Sequence, residues 1–438
     1  MATRLIVGAA AAIFAAAALL FAGVLRQETP AAASDVLPAA IAAELAKGFA
    51  AGNTEAEILG LQGELRLNSH NVKALDTLGL AYEQRVRETG DPTYYSKAQG
   101  ILDEALQQSP RDLIATAGLG QLALSRHRFH EALDLGLRAK RISPTTAGVY
   151  GVIGDAELEL GRYREAFRTF DHMNALKPDV ASYARVSYGR ELIGHISGAE
   201  RAMSLAASAA VGEQEASSWT HVQLGLLYLG HSQPQRALTQ MTDALQLDPE
   251  YYVALDGMAQ AQVSLGHLRL ALELEHNAVD RVPLPAQVAL LGDLYRATGN
   301  TKAAKREYAL IGVIQKLLAA NGVRNDLDIA LFDVDHGIAL PHALALARKG
   351  YAERPSIFGD DVLGWALAHN GRCGEALAYS TRSLRLGTKD ALKYFHRGWI
   401  ESCLGNRAEA TVWYRRALAL NPRFSILWAP VARKGAER

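Results

Sequence analysis

The chain is predicted to be an all-α superhelical solenoid of about ten to eleven helix pairs, and three observations predict it. One column of small residues, Ala98, Ala132, Ala166, Ala199, Ala237, Ala271, Ala304, Ala343, Ala376 and Ala410, recurs at spacings of 34, 34, 33, 38, 34, 33, 39, 33 and 34. Prolines at 110, 144, 178, 249, 283 and 422 keep the same phase. Composition is that of helices: Ala and Leu dominate, and only 14 prolines occur in 438 residues. A chain of this length exceeds one compact core, so an extended array accommodates it better than a single globule.

Within each period the elements follow from the residues. Seven positions after each alanine lies a second column, Ala105, Ala139, Met173, Ala206, Ala244, Ala278, Ile311, Gly350, Ser383 and Ala417. Small residues two turns apart let helices approach closely. Upstream, an apolar residue precedes Gly at Leu78-Gly79, Leu119-Gly120, Ile153-Gly154, Leu224-Gly225, Leu291-Gly292 and Leu363-Gly364. Turn residues such as Gly161, Gly299, Gly371 and Gly405 separate two helices, and each proline, lacking a backbone donor, punctuates the pair before the next begins. The unit is therefore helix, turn, helix, stop.

This unit resembles the tetratricopeptide repeat. The segment from Leu224 to Pro249, LGLLYLGHSQPQRALTQMTDALQLDP, has Leu224, Gly225, Tyr228, Ala237, Ala244 and Pro249 where that family's signature has them. Ile153 to Pro178 matches at Gly154, Gly161, Ala166, Phe170 and Pro178, and the phase persists over residues 72–424. The resemblance implies a right-handed superhelix. Departures are extra residues near Glu88 to Tyr94, short insertions after Val211 and Leu318, and a degenerate unit from Arg324 to Ser356 carrying LFDVDHG. Residues 35–71 read as a worn capping repeat and 425–438 as a capping tail, because a solenoid exposes an apolar face wherever no neighbour follows.

Residues 1–34 read as a signal-anchor or signal peptide with its linker. The stretch from Leu5 to Leu25 is 21 uncharged residues bounded by Arg4 and Arg26, long enough to cross a bilayer as a helix. Arg4 and the α-amine precede it and Glu28 and Asp35 follow, so the repeats are expected outside the cytoplasm, tethered to the cytoplasmic membrane. Small residues at Ala31 to Ser34 leave open cleavage and a secreted or periplasmic form.

Net charge is +0 and the pI about 7.2, which supplies no field for a phosphate backbone, so nucleic acid is not an expected partner. The sequence carries no phosphate-binding Gly-rich loop, HExxH or Gly-x-Ser-x-Gly elbow, and implies neither an enzyme nor a cofactor. In the resembled family the first helix of each pair lines a concave groove that holds segments of partner proteins. The register puts Asp155, Glu159, Tyr188, Trp219, Asp256, Asp293, Arg296, Asp328, Phe332, Asp335, Asp361, Trp365, Phe395 and Trp399 there. Aromatic anchors with charged rims suit a basic or amphipathic segment. The Lys- and Arg-rich clamp that some members use for a C-terminal carboxylate is absent.

Asp335 and His336 are candidate metal ligands, with Asp328, Asp333, His342, Asp360, Asp361, His369 and His396 able to converge on them across neighbouring units. Loop and capping duties account for the same residues. Cys373 begins the second helix of one unit and Cys403 falls late in the first helix of the next, so in an antiparallel stack their sulfurs could be neighbours. They either pair, as in exported proteins, or serve as small buried apolar groups. The expected function is a protein–protein scaffold or adaptor in envelope assembly or secretion; a periplasmic chaperone or holdase, and a metal-binding accessory protein, are the alternatives.

Overall fold

The computed structural model describes residues 54–437, and every described element is helical. The apolar stretch Leu5 to Leu25 and most of the expected N-terminal cap lie outside the described residues. Among the described residues no helix is long and apolar enough to cross a membrane.

Helix α1 (Thr54–Leu67) leads into ten antiparallel pairs. The first four are α2 (Val72–Thr89) with α3 (Thr93–Gln108), α4 (Leu113–Ser125) with α5 (Phe129–Ile142), α6 (Ala147–Glu159) with α7 (Tyr163–Leu176), and α8 (Val180–Leu192) with α9 (Ile196–Ala209). Next come α10 (Gln214–Gly230) with α11 (Pro234–Leu247), α12 (Tyr252–Leu265) with α13 (Leu268–Arg281), and α14 (Pro285–Ala297) with α15 (Thr301–Ala320). The last three are α16 (Asp326–Asp335) with α17 (Leu340–Glu353), α18 (Ile357–His369) with α19 (Cys373–Ser383), and α20 (Ala391–Cys403) with α21 (Arg407–Leu420). A short α22 (Ala429–Ala436) packs on α21. This is the expected all-α superhelix of ten to eleven pairs.

The repeat columns explain the packing. All ten alanines of the first column and all ten residues of the second are buried, facing the helix that precedes or follows. The glycines of the first helices are the matching recesses: a Cβ on Gly79 would lie 2.5 Å from Leu102, on Gly154 2.4 Å from Phe170, and on Gly292 2.4 Å from Tyr308. Ala237→Leu is expected to lose about 1–3 kcal/mol by overpacking its crossing, read as a lowered denaturant midpoint. The inserted residues lengthen α2, α10 and α15 to 18, 17 and 20 residues rather than forming loops, and the degenerate unit has a first helix of only 10.

Nearest-neighbour stacking is not the whole fold. Successive superhelical turns lock onto one another through contacts 192 to 198 residues apart. The α4–α5 turn meets the α15–α16 junction, where the Arg324 N–H donates to Arg126 O at 2.9 Å and Arg128 Nε to Gly322 O at 3.1 Å. The α6–α7 turn meets the start of α18, where Tyr163 Oη accepts from the Ile357 N–H at 2.6 Å. At the end of α8, Leu192 O accepts from Thr388 Oγ1, and at the end of α10, Leu229 O accepts from Asn421 Nδ2 at 3.4 Å. Gly161 and Gly194 are required twice over: each has positive φ, and a Cβ on either would lie 2.6 Å from the carbonyl oxygen of Pro355 or Gly387 on the facing turn.

Near the N-terminus, buried Asp76 on α2 lies beside Asp112, and burial followed by that second carboxylate pushes its pKa up to about 8. A carboxyl raised above its unfolded value of 3.8 favours the fold while protonated, so its contribution is complete below about pH 4 and is lost as pH rises through about 8. The stability advantage of Asp76→Asn over the unsubstituted protein is therefore expected to grow between those limits and level off above. Denaturant midpoints across the range check it; a flat difference would refute the buried acid.

Candidate functional site

The residues that the repeat register puts on the partner groove are mostly engaged by side chains of the same or neighbouring pairs, and Glu159 and Asp328 by the other superhelical turn, in place of the expected open row of anchors. Asp155 on α6 and Arg185 on α8 form a bidentate pair at 2.9 and 2.6 Å, 0% and 1% exposed. Even with that cation, burial holds the Asp155 pKa up at about 6. Glu159 pairs across the turns with Arg354, at 2.9 Å to Nη2 and closer to Nε. Burial opposes the Arg354 charge, but Glu159 outweighs it and raises the guanidinium pKa.

The remaining predicted positions are similarly occupied. Trp219 is buried in an aliphatic cluster with Met203 and Leu224, and Asp256 accepts from Gln260 at 2.9 Å. Asp293 accepts from Tyr308 Oη at 2.7 Å and meets His336 Nε2 at 3.0 Å; burial alone would raise its pKa, yet His336, Tyr308 and Arg296 together lower it. Arg296 is the exposed member, 3.7 Å from Asp293. Asp328 lies 3.8 Å from His127 Nδ1, and the Phe332 ring packs 4.3 Å from His336. Tyr188 lines an internal chamber between the turns.

Asp335 and His336 face different partners rather than a shared ion. Asp335 accepts from two indoles, Trp365 Nε1 at 2.9 Å and Trp428 Nε1 at 3.0 Å, whereas His336 takes Asp293 and the Phe332 carbonyl. Adjacent residues on a helix point about 100° apart, which is why sequence proximity did not bring them together. Among the described residues no group of three His, Cys, Asp or Glu is arranged to hold a metal. Asp361 is tied to His396 Nδ1 at 3.0 Å in a buried pair.

Trp365, Phe395 and Trp399 join Trp428 in one aromatic cluster that includes His369 and His396. Trp365 stacks on His396 at 4.0 Å, and its edge contacts with Trp428, Trp399 and Phe395 run from 5.4 to 5.9 Å. His369 lies parallel to Trp399 at 5.3 Å, and burial followed by His396 lowers its pKa to about 4. Trp428 was legible in the sequence only as a capping residue; its pairing with Asp335, 93 positions away, is a consequence of α22 folding back.

Cys373 and Cys403 form a disulfide with Cα atoms 6.1 Å apart, joining α19 to α20. The bond spans 30 residues, and closing such a loop contributes on the order of 3–4 kcal/mol. Thiol counting on denatured, unreduced protein is expected to find no free thiol. Cys373→Ser with Cys403→Ser is expected to lower the unfolding free energy by about that amount.

No family model matches the sequence, and neither does any curated protein. Similar solved structures include the human IFIT1 dimer with PPP-AAAA, at 16% identity over 84% of this chain and 89% of that one with a TM-score of 0.45. The Cut9–Hcn1 hetero-tetramer of APC/C is 12% identical over 87% and 93%, with a TM-score of 0.38. A tetratricopeptide repeat protein from Parabacteroides merdae is 18% identical over 59% and 97%, with a TM-score of 0.35.

Proposed function

We propose that the chain is a non-catalytic interaction scaffold, exported and tethered to the cytoplasmic membrane through residues 5–25, that assembles protein partners in an envelope-assembly or secretion process. The observation that carries the interaction reading is on the outer surface. The last turns of α15 present Ala309, Val313, Leu317 and Ala320 to solvent at helical spacing, with Val313 62% and Leu317 46% exposed. A continuous aliphatic stripe on one helix suits an amphipathic helix of a partner. With most of the expected groove residues engaged inside the protein, this outer stripe takes the role that the sequence reading gave to the concave groove. A defined stripe also favours a defined partner over a holdase that takes any unfolded chain.

The disulfide supports an oxidising compartment, in line with the charge asymmetry around the N-terminal apolar stretch. Crosslinking with mass spectrometry in the native host tests the scaffold. The expected result is a few recurrent partners whose links map to α15 and vanish in Val313→Glu with Leu317→Glu, with helicity unchanged. Links indifferent to that change would refute the surface. Suppression of aggregation of unrelated proteins would favour the holdase. A reporter fused after Arg438 that works only in the cytoplasm would overturn the exported reading, and alkali washing of membranes separates a tether from a cleaved leader.

A further inference from the structure

The two superhelical turns part between α8 and α20, leaving a small chamber of about 60 Å³ that opens to solvent at its mouth. Apolar groups from both turns, Tyr188, Leu192, Ile357, Phe358 and Phe424, form much of its wall. Its charges are mostly settled internally: Arg354 is paired with Glu159, and Lys393 with Asp390 at 3.1 Å. Two acceptors are not settled. The Glu191 side chain has neither a hydrogen bond nor an ion pair, although it lines the chamber. Burial, then neighbouring Asp390, push its pKa up to about 7 against the pull of Lys393. His231 meets the Leu227 carbonyl with Nδ1 at 2.8 Å, which assigns its proton to that nitrogen. Its Nε2 is buried with no partner, and burial lowers the ring's pKa, so it presents a lone pair.

A chamber whose walls are apolar and whose unmet polar groups are both acceptors calls for a donor with an apolar body. Its one unpaired cation, Lys389, is exposed to solvent beside the mouth and is screened there. We propose that this chamber is a binding site for a small organic ammonium ion, whose N–H groups meet Glu191 and His231 and whose hydrocarbon part lies against Tyr188, Phe358 and Phe424. The amine supplies the charge that holds Glu191 ionised and the donor that His231 Nε2 lacks. Because the walls come from residues some 160 to 235 positions apart, an occupant also bridges the two superhelical turns.

Isothermal titration calorimetry on the full-length, disulfide-bonded protein in detergent, with 2-phenylethylamine as probe and phenylacetate as the anion of matching shape, tests the site. The expected result is one amine bound per chain, no uptake of phenylacetate, and at least tenfold weaker binding in Glu191→Gln. That variant is isosteric and breaks no contact; His231→Gln is the second variant, expected to weaken the amine as well. Equal binding of amine and anion would reduce the chamber to an apolar crevice and overturn the proposal. So would no binding by protein with native circular dichroism, or unchanged affinity in both variants.

Discussion

Arg354→Ala is expected to lower the unfolding free energy by about 3–5 kcal/mol, the cost of leaving a buried carboxylate without its cation. Glu159 is 3% and Arg354 6% exposed in their side chains, so water does not replace the lost partner. The guanidinium also lies 4.5 Å over the Phe358 ring and 5.5 Å over Phe129, contacts that go with it. A surface control exists in Arg372, whose pair with Glu375 is 40% and 53% exposed and whose replacement should change stability by less than about 1 kcal/mol. The double replacement Glu159→Met with Arg354→Met should recover much of the loss, because two apolar groups need neither partner nor water. Urea midpoints of the four proteins measure this. Since Glu159 and Arg354 join separate turns of the superhelix, Arg354→Ala should also open the α17–α18 junction to protease. An unchanged midpoint would mean the turns do not depend on each other and that the chain behaves as a simple nearest-neighbour array.

That dependence marks where the sequence stopped being informative. Periodic columns report contacts between adjacent helices, and those contacts decide the ten pairs, their turns and their boundaries. Ala237 or Gly154 is readable because its neighbour lies within the same unit or the next. The contact between Glu159 and Arg354 has no such signature: it depends on how small rotations accumulate over several pairs, and no local pattern encodes the sum. The register assigned Asp155, Asp361, Trp365 and Phe395 to the groove, and the structure buries all four. It gave no sign that these positions would be filled, which turned candidate binding residues into buried ones. His231 and Glu191, at the chamber, carry no pattern of their own: Glu191 is unremarkable within α8 and His231 lies in the turn after α10. One hint was available: first helices such as α6 (AGVYGVIGDAELE) are apolar almost all round, and a helix of that kind is buried on more than one side.

Trp365→Ala is expected to cost about 3–5 kcal/mol, a loss of stability rather than of partner affinity. The side chain is 0% exposed at the centre of the C-terminal cluster, so truncation leaves a cavity against His396, Phe395 and Trp428. A second loss is polar. Asp335 holds two indole donors, and burial already raises its pKa; removing one leaves a carboxylate with Trp428 alone. Trp365→Phe separates the two effects, because it keeps most of the ring volume and removes only the N–H, for an expected cost of about 1–3 kcal/mol. Trp399 is only half-buried, and its replacement should cost less than that of Trp365. Because Trp428 lies next to α22 and shares the Asp335 carboxylate, loosening of the cluster should appear first as faster proteolysis after residue 428 and loss of near-ultraviolet circular dichroism, with far-ultraviolet signal retained. If Trp365→Ala instead left the urea midpoint unchanged while weakening crosslinks to partners, the ring would be an interface anchor, and its buried placement in the aromatic cluster would be wrong.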